Sequence, residues 1–138
     1  MTEEEMIECA AEGYRSFVAK FEMWSYLHNK CNALEHYGWA ESIEQRAQEE
    51  VLSVDCLAIY PPEEEMEYQV LLSWGGPASR LRVRTDFYGE PLDVWFEYQD
   101  WFTPWIEAPN MDRASLCDYV SQFFWFYSIQ EIATQFPR

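Results

Sequence analysis

Basic side chains are scarce in this chain. Nine Lys and Arg stand against 25 Asp and Glu, a formal net charge of −16 over 138 residues. Ordinary nucleic-acid binding needs a basic footprint to neutralise phosphates, so the deficit excludes it. An anionic membrane surface repels such a chain for the same reason. Long apolar runs are also missing. The densest, Phe123 to Tyr127, is five residues, far below the roughly 18 of a membrane span. The start, Met1-Thr2-Glu3-Glu4-Glu5, is acidic where a leader is basic, which predicts a cytoplasmic protein without a secretory or mitochondrial leader. Cys9, Cys31, Cys56 and Cys117 are widely spread with no C-x-x-C pair. They predict free thiols in a reducing compartment and exclude a disulfide framework or zinc ribbon. No nucleophile motif, internal repeat, low-complexity tract or linker is present. Gly75-Gly76-Pro77 is too short and too poor in lysine to cradle a phosphate, and reads as a hairpin turn.

What is there is apolar and aromatic. Hydrophobic residues make up 49% and aromatic residues 18%, enough for a sizeable core in one domain spanning 1–138. The first part, 1–60, reads as helical. Thr2 and Glu5 form a capping box, and Glu3, Glu4 and Glu5 suit the positive end of the helix dipole. Ile7, Ala10, Ala11, Tyr14, Phe17, Val18, Phe21 and Trp24 recur at spacings of three and four, one stripe of an amphipathic helix. The pattern fades after Leu27, with Gly38 as the expected stop. A second helix is expected over 41–55, with Ile43, Ala47 and Val51 inward.

After Pro61-Pro62 the period changes to two. Tyr68, Val70, Leu72 and Trp74 alternate with Gln69, Leu71 and Ser73, Leu81 and Val83 alternate with Arg80, Arg82 and Arg84, and Leu92, Val94, Phe96 and Tyr98 alternate with Asp93, Trp95, Glu97 and Gln99. Turns at Gly75-Gly76-Pro77 and Tyr88-Gly89-Glu90-Pro91 complete a three-stranded, or slightly larger, antiparallel meander over 67–100. Opposed residues across the second turn are expected to sum to 177. Arg84 then faces Asp93, Arg82 faces Trp95 and Arg80 faces Glu97, while Val83 faces Val94 and Leu81 faces Phe96. One face is thus apolar. The other is a charge ladder with a cation–π contact. A last helix is expected over 111–134, with one stripe of Leu116, Tyr119, Val120, Phe123 and Tyr127. A second stripe, Trp125, Ile129, Ile132 and Phe136, lies nearly opposite. The expected fold is α+β: an antiparallel sheet covered on one face by the N-terminal and C-terminal helices.

Few residues suggest chemistry. His28, Cys31, Glu35 and His36 have loose metal-like spacing, but His28 continues the apolar stripe and reads as a core histidine. Asp100 and Glu107 flank the aromatic segment Trp101-Phe102-Thr103-Pro104-Trp105 as a carboxylate pair would. A loop packing its rings on the sheet edge accounts for them better. Arg80, Arg82 and Arg84 share a strand face, where pairing with Asp93 and Glu97 is favoured over phosphate binding. Neither a metal nor a cofactor is expected. The acid is the largest signal. Residues 1–79 carry 16 acids against four bases, and residues 80–138 nine against five.

Two segments carry a resemblance: Val70-Leu71-Leu72-Ser73-Trp74-Gly75-Gly76-Pro77-Ala78-Ser79-Arg80-Leu81 and Glu97-Tyr98-Gln99-Asp100-Trp101-Phe102-Thr103-Pro104-Trp105. They resemble small proteins carried by bacteriophages and plasmids, over about residues 67–127. The likeness transfers no site residue. It implies a mobile-element origin, and small acidic proteins of that origin resemble anti-CRISPR or anti-restriction inhibitors, some of which mimic nucleic acid. The resulting expectation is a non-enzymatic inhibitor in the host bacterial cytoplasm. Glu3, Glu4, Glu5, Glu8, Glu12, Glu63, Glu64, Glu65 and Glu67 would occupy a basic nucleic-acid-binding surface of a CRISPR effector or other defence nuclease. Aromatic anchors such as Trp39, Trp95 or Trp105 would assist. The alternative is an interaction module, either an immunity protein against a basic nuclease toxin or an accessory protein forming a homodimer through Trp125, Ile129, Ile132 and Phe136.

Overall fold

A computed structural model describes residues 2–62, 64–74, 77–101 and 103–126. The elements run α1 (Glu3–Ala33), α2 (Tyr37–Glu49), β1 (Ser53–Tyr60), β2 (Glu65–Ser73), β3 (Ala78–Asp86), β4 (Pro91–Gln99), β5 (Ile106–Glu107) and α3 (Arg113–Phe123). The strands form one antiparallel sheet in the order β1-β2-β3-β4-β5. The fold is α+β as expected, and the sheet has five strands where three or slightly more were foreseen.

The 31-residue helix α1 starts on its capping box. Thr2 Oγ1 accepts from the Glu5 N–H at 3.2 Å and donates to Glu5 Oε1 at 3.1 Å. Its buried side chains are Met6, Ala10, Phe17, Phe21, Trp24 and His28, a single stripe, whereas Ile7 turns outward. The helix runs past Leu27 to Ala33, and it stops before Gly38. Glu35 adopts φ 61°, its N–H donates to the Asn32 carbonyl, and the His36 N–H donates to the Cys31 carbonyl at 2.8 Å. That is a Schellman termination, with Glu35 in the position glycine usually takes. Gly38 instead sits in the first turn of α2.

The expected second helix, 41–55, is corrected at both ends. Ile43 and Ala47 do face inward, but α2 closes at Glu49 and Ser53–Tyr60 is an edge strand. Part of 1–60 therefore belongs to the sheet. Strand β1 escaped the period-two test because its pairing with β2 slips between Cys56 and Ala58. Such a bulge interrupts alternation. The expected register across the second hairpin holds from Arg80↔Glu97 through Arg84↔Asp93, then shifts so that Thr85 faces Pro91. Gly89 closes this hairpin at φ 89°, a conformation costly for any residue with a Cβ. The Asp86 carboxylate accepts from the N–H groups of Tyr88 and Glu90.

Helices α1 and α3 cover one face of the sheet. Met66, Tyr68, Val70, Leu81, Val83, Val94 and Phe96 form its buried rows, against Phe17, Phe21, Leu116, Val120 and Phe123 from the helices. Phe17 stacks on Phe21 at 4.3 Å, and Tyr14 meets Phe96 edge-on at 6.4 Å. Among the described residues no helix is long and apolar enough to cross a membrane.

The last helix is also corrected. It starts where Asp112 caps it, accepting from the Ser115 N–H at 3.1 Å, and its Leu116–Tyr119–Val120–Phe123 stripe packs as expected. It ends at Phe123. Phe124 is extended, at φ −122° and ψ 153°. The extended chain then alternates: Phe124 is half-buried, Trp125 exposed, and Phe126 buried against Tyr68 at 5.1 Å. A period of two, not a second helical face, puts Trp125 on the opposite side. Tyr127, Ile129, Ile132 and Phe136 lie outside the described residues.

Candidate functional site

The face of the sheet away from the helices is an ionic ladder. Arg80 Nε donates to Glu97 Oε1 at 2.7 Å and its Nη1 donates to Gln69 Oε1 at 2.6 Å. Arg82 Nη2 donates to Glu67, and its Nη1 lies 3.7 Å from Glu97. Arg84 Nε lies 2.7 Å from Glu65 Oε2. Arg113 bridges Asp93 at 2.8 Å and Glu107 at 3.2 Å. Aromatic rings lie against the guanidinium groups: Trp105 at 4.0 Å from Arg80, Tyr60 at 4.7 Å from Arg84, and Trp95 at 5.3 Å from Arg113 and 5.7 Å from Arg82. These rings shield the ladder. Glu67 is only 7% exposed and Glu97 8%, so both carboxylates are neutralised inside the fold and not offered to solvent.

Of the expected partner residues, Glu67 is buried under Arg82, whereas Glu65 pairs with Arg84 and keeps its side chain 43% exposed. Trp95 and Trp105 are half-buried against arginines. Asp93 serves Arg113, not Arg84, because the guanidinium of Arg84 turns across the sheet to Glu65. The expected cation–π contact of Arg82 with Trp95 is present.

The N-terminal acids are placed differently. Glu3, Glu4, Glu5, Glu8 and Glu12 are all exposed on the first turns of α1. Glu4, Glu8 and Glu12, at i, i+4 and i+8, share the side opposite the buried stripe. Glu64 is exposed at the β1–β2 turn, and Glu63 lies outside the described residues. The two groups are not brought together. Residues Gly13 to Phe17 of α1 lie over Phe96, toward the Gln99 end of β4. Glu65 pairs with Asp86, at the opposite end of β3.

Five of the nine bases (Lys20, Arg80, Arg82, Arg84 and Arg113) are tied into ion pairs. The same pairs hold six acids, Glu50, Glu65, Glu67, Asp93, Glu97 and Glu107, so the pairing removes acids and bases together. Of the expected anchors, Trp39 is left outward at 66% exposure, stacked on His36 at 4.6 Å. It stands at the start of α2, far from Glu4 along α1.

The histidine group is structural. His28 Nε2 donates to Glu44 Oε1 at 2.8 Å, and Nδ1 accepts from Gln122 Nε2 at 3.0 Å. Gln122 Oε1 accepts from the Ser25 hydroxyl at 2.7 Å, and its Nε2 also donates to Asn29. This tautomer satisfies both ring nitrogens of His28, and the knot ties α1, α2 and α3 together. Among the described residues no group of three or more His, Cys, Asp or Glu could hold a metal. In the Asp100–Glu107 segment the Thr103 hydroxyl bonds the Asp100 backbone both ways, Trp105 lies against Arg80, Trp101 is 63% exposed, and Glu107 pairs with Arg113. Burial pushes the Cys117 thiol up, aided by Asp93 and Asp118, and burial also raises Cys56 against a lowering contact from the Ala58 backbone. Neither is an activated nucleophile. Tyr98 and Tyr119 are raised, chiefly by burial.

Sequence reading missed the ring shielding of the ladder and the edge strand β1. The one available signal for the former was the placement of Tyr60, Trp95 and Trp105 beside a row of arginines. No protein-family model, curated protein sequence or solved structure matches the chain.

Proposed function

We propose that this protein is a non-enzymatic, anti-CRISPR-like inhibitor whose carboxylates occupy a basic, nucleic-acid-binding surface of a host defence complex. The observation that carries this reading is the separation of charge. The ladder consumes arginines internally while Glu3, Glu4, Glu5, Glu8 and Glu12 remain exposed on α1. Glu4, Glu8 and Glu12, which share one side of α1, span about 12 Å of helix axis at 1.5 Å rise per residue. That is one charge per about 6 Å, roughly half the density of phosphates along one nucleic-acid strand. The outer side of α1 thus supplies part of such a field, and Glu3 and Glu5 add charge at the same end of the helix. Long-range attraction would steer the encounter.

The test is capture from a bacterial lysate that contains CRISPR effector complexes, eluted in two salt steps and identified by mass spectrometry. A basic complex that elutes with salt and is displaced by added DNA supports the reading. A partner that resists salt assigns the interface to apolar contacts. Recovery of nothing from such a lysate removes the inhibitor reading.

A further inference from the structure

The outer edge of β1 has features the α1 surface does not explain. The strand is eight residues long and ends the sheet. Among the described residues no strand pairs with that edge. Edge strands are commonly protected by lysine, proline, brevity or a bulge; Ser53–Tyr60 holds no lysine or proline and is eight residues long, and its one such device is the bulge between Cys56 and Ala58. Val54, Leu57 and Ile59 are 39–45% exposed. A cavity of about 340 Å³, lined by Val51, Val54, Phe123, Phe124 and others, opens beside the start of the strand.

The charge around this edge has one sign. Between Ala47 and Ser79 the sequence holds seven Asp and Glu and no Lys or Arg. Glu50, Glu65 and Glu67 are paired with Lys20, Arg84 and Arg82. Glu49, Asp55 and Glu64 are exposed with no cation against them among the described residues. Asp55 sits opposite Gln69, on the ladder face, whereas Val54 faces the helix side.

We propose that the outer edge of β1 receives an extended basic segment of another protein as an added strand, with Lys or Arg alternating with aliphatic residues. This deepens the proposed function and rests on its basic partner. Backbone hydrogen bonds to β1 fix the added strand. Alternation sends its basic side chains toward Asp55 and Glu64 and its aliphatic ones toward Val54, Ile59 and the cavity. A second copy fits less well. It would bring two uncompensated acidic edges together between molecules of charge −16.

The experiment is fluorescence anisotropy with a labelled decapeptide of alternating Lys and Val. Two N-methylated versions carry the methyls on the Lys or on the Val residues. A block peptide of equal composition controls for charge. In a strand, alternate N–H groups point to one edge, so one methylated version should bind at least tenfold more weakly while the other binds nearly as the parent. The block peptide should also be at least tenfold weaker. Ile59→Lys should weaken the parent peptide similarly, with an unchanged circular dichroism spectrum. Equal binding of all four peptides, or none, overturns the proposal. So does a concentration-dependent dimer by light scattering that Ile59→Lys abolishes, because the edge then belongs to a second copy. Replacing Glu4, Glu8 and Glu12 by Gln should leave peptide binding intact while weakening DNA-displaceable capture, so the two readings fail separately.

Discussion

Glu97 sits at the centre of the ladder, and its removal gives a quantitative test of how dry that ladder is. Its Oε1 accepts from Arg80 Nε at 2.7 Å, its Oε2 accepts from Trp95 Nε1 at 3.2 Å, and Arg82 Nη1 lies 3.7 Å away. The residue is 8% exposed, and the Arg80 side chain 11%. Glu97→Ala leaves Arg80 with Gln69 and the Trp105 ring, and Arg82 with Glu67. Breaking a buried pair from one side costs about 3–5 kcal/mol, since the orphaned charge stays buried. The remaining partners of both arginines bring this to about 3 kcal/mol. At about 2.1 cal/mol/K per residue, a chain of this length loses about 10 °C in Tm. Glu97→Gln, which keeps an acceptor for Arg80 but faces the Trp95 N–H with its amide, should fall between. Lys20→Ala breaks the Lys20–Glu50 pair, whose side chains are 51% and 43% exposed; it should cost under about 0.5 kcal/mol. Calorimetry with urea titration reads all three. If Glu97→Ala costs no more than Lys20→Ala, the ladder is solvated, and the claim that it sequesters the arginines fails.

Three further variants test local readings. Glu35→Gly should stabilise by about 0.5–1 kcal/mol, raising Tm by a few degrees. It relieves the left-handed backbone at φ 61°, with glycine's extra unfolded-state entropy as the offset. Gly13→Ala should lower Tm despite alanine's helix propensity, because its Cβ would stand 3.0 Å from Phe96 Cζ; adding Phe96→Leu should shrink the penalty specific to the added methyl in a double-mutant cycle. Asp112 is held below its ordinary value of 3.8 by hydrogen bonds from the Ser115 hydroxyl and backbone. A carboxylate lowered in this way stabilises above its unfolded pKa, and that contribution is lost as pH falls through its folded value. Tm of the native protein should therefore fall more steeply below about pH 4 than that of Asp112→Asn, with identical slopes counting against the cap.

The parts of the fold legible in the sequence are those where one physical demand dominates. The register of β3 on β4 follows from three arginines that must avoid the apolar face, and it holds from Arg80 to Arg84. The α1 stripe follows from burial at a helical period. Boundaries were lost where two demands compete. Val51 continues the helical spacing of Ile43 and Ala47, so the end of α2 at Glu49 was hidden. The alternation of Phe124, Trp125 and Phe126 sits directly after a helical stripe, so the end of α3 at Phe123 was hidden as well. For the candidate site, counting acids could not separate Glu67, buried under Arg82, from Glu4, exposed on α1. That distinction depends on strand pairing between residues distant in the chain.

Under the proposed function, the exposed α1 carboxylates, and not the ladder, meet a basic partner. The direct measurement is the affinity of the captured complex for the native protein and for a variant with Glu4, Glu8 and Glu12 replaced by Gln, each at low and physiological salt. Native binding should weaken at least about tenfold between roughly 0.05 and 0.15 M salt, and the variant should bind more weakly with a shallower salt dependence. Equal affinity of the two proteins at both salt concentrations would contradict that reading.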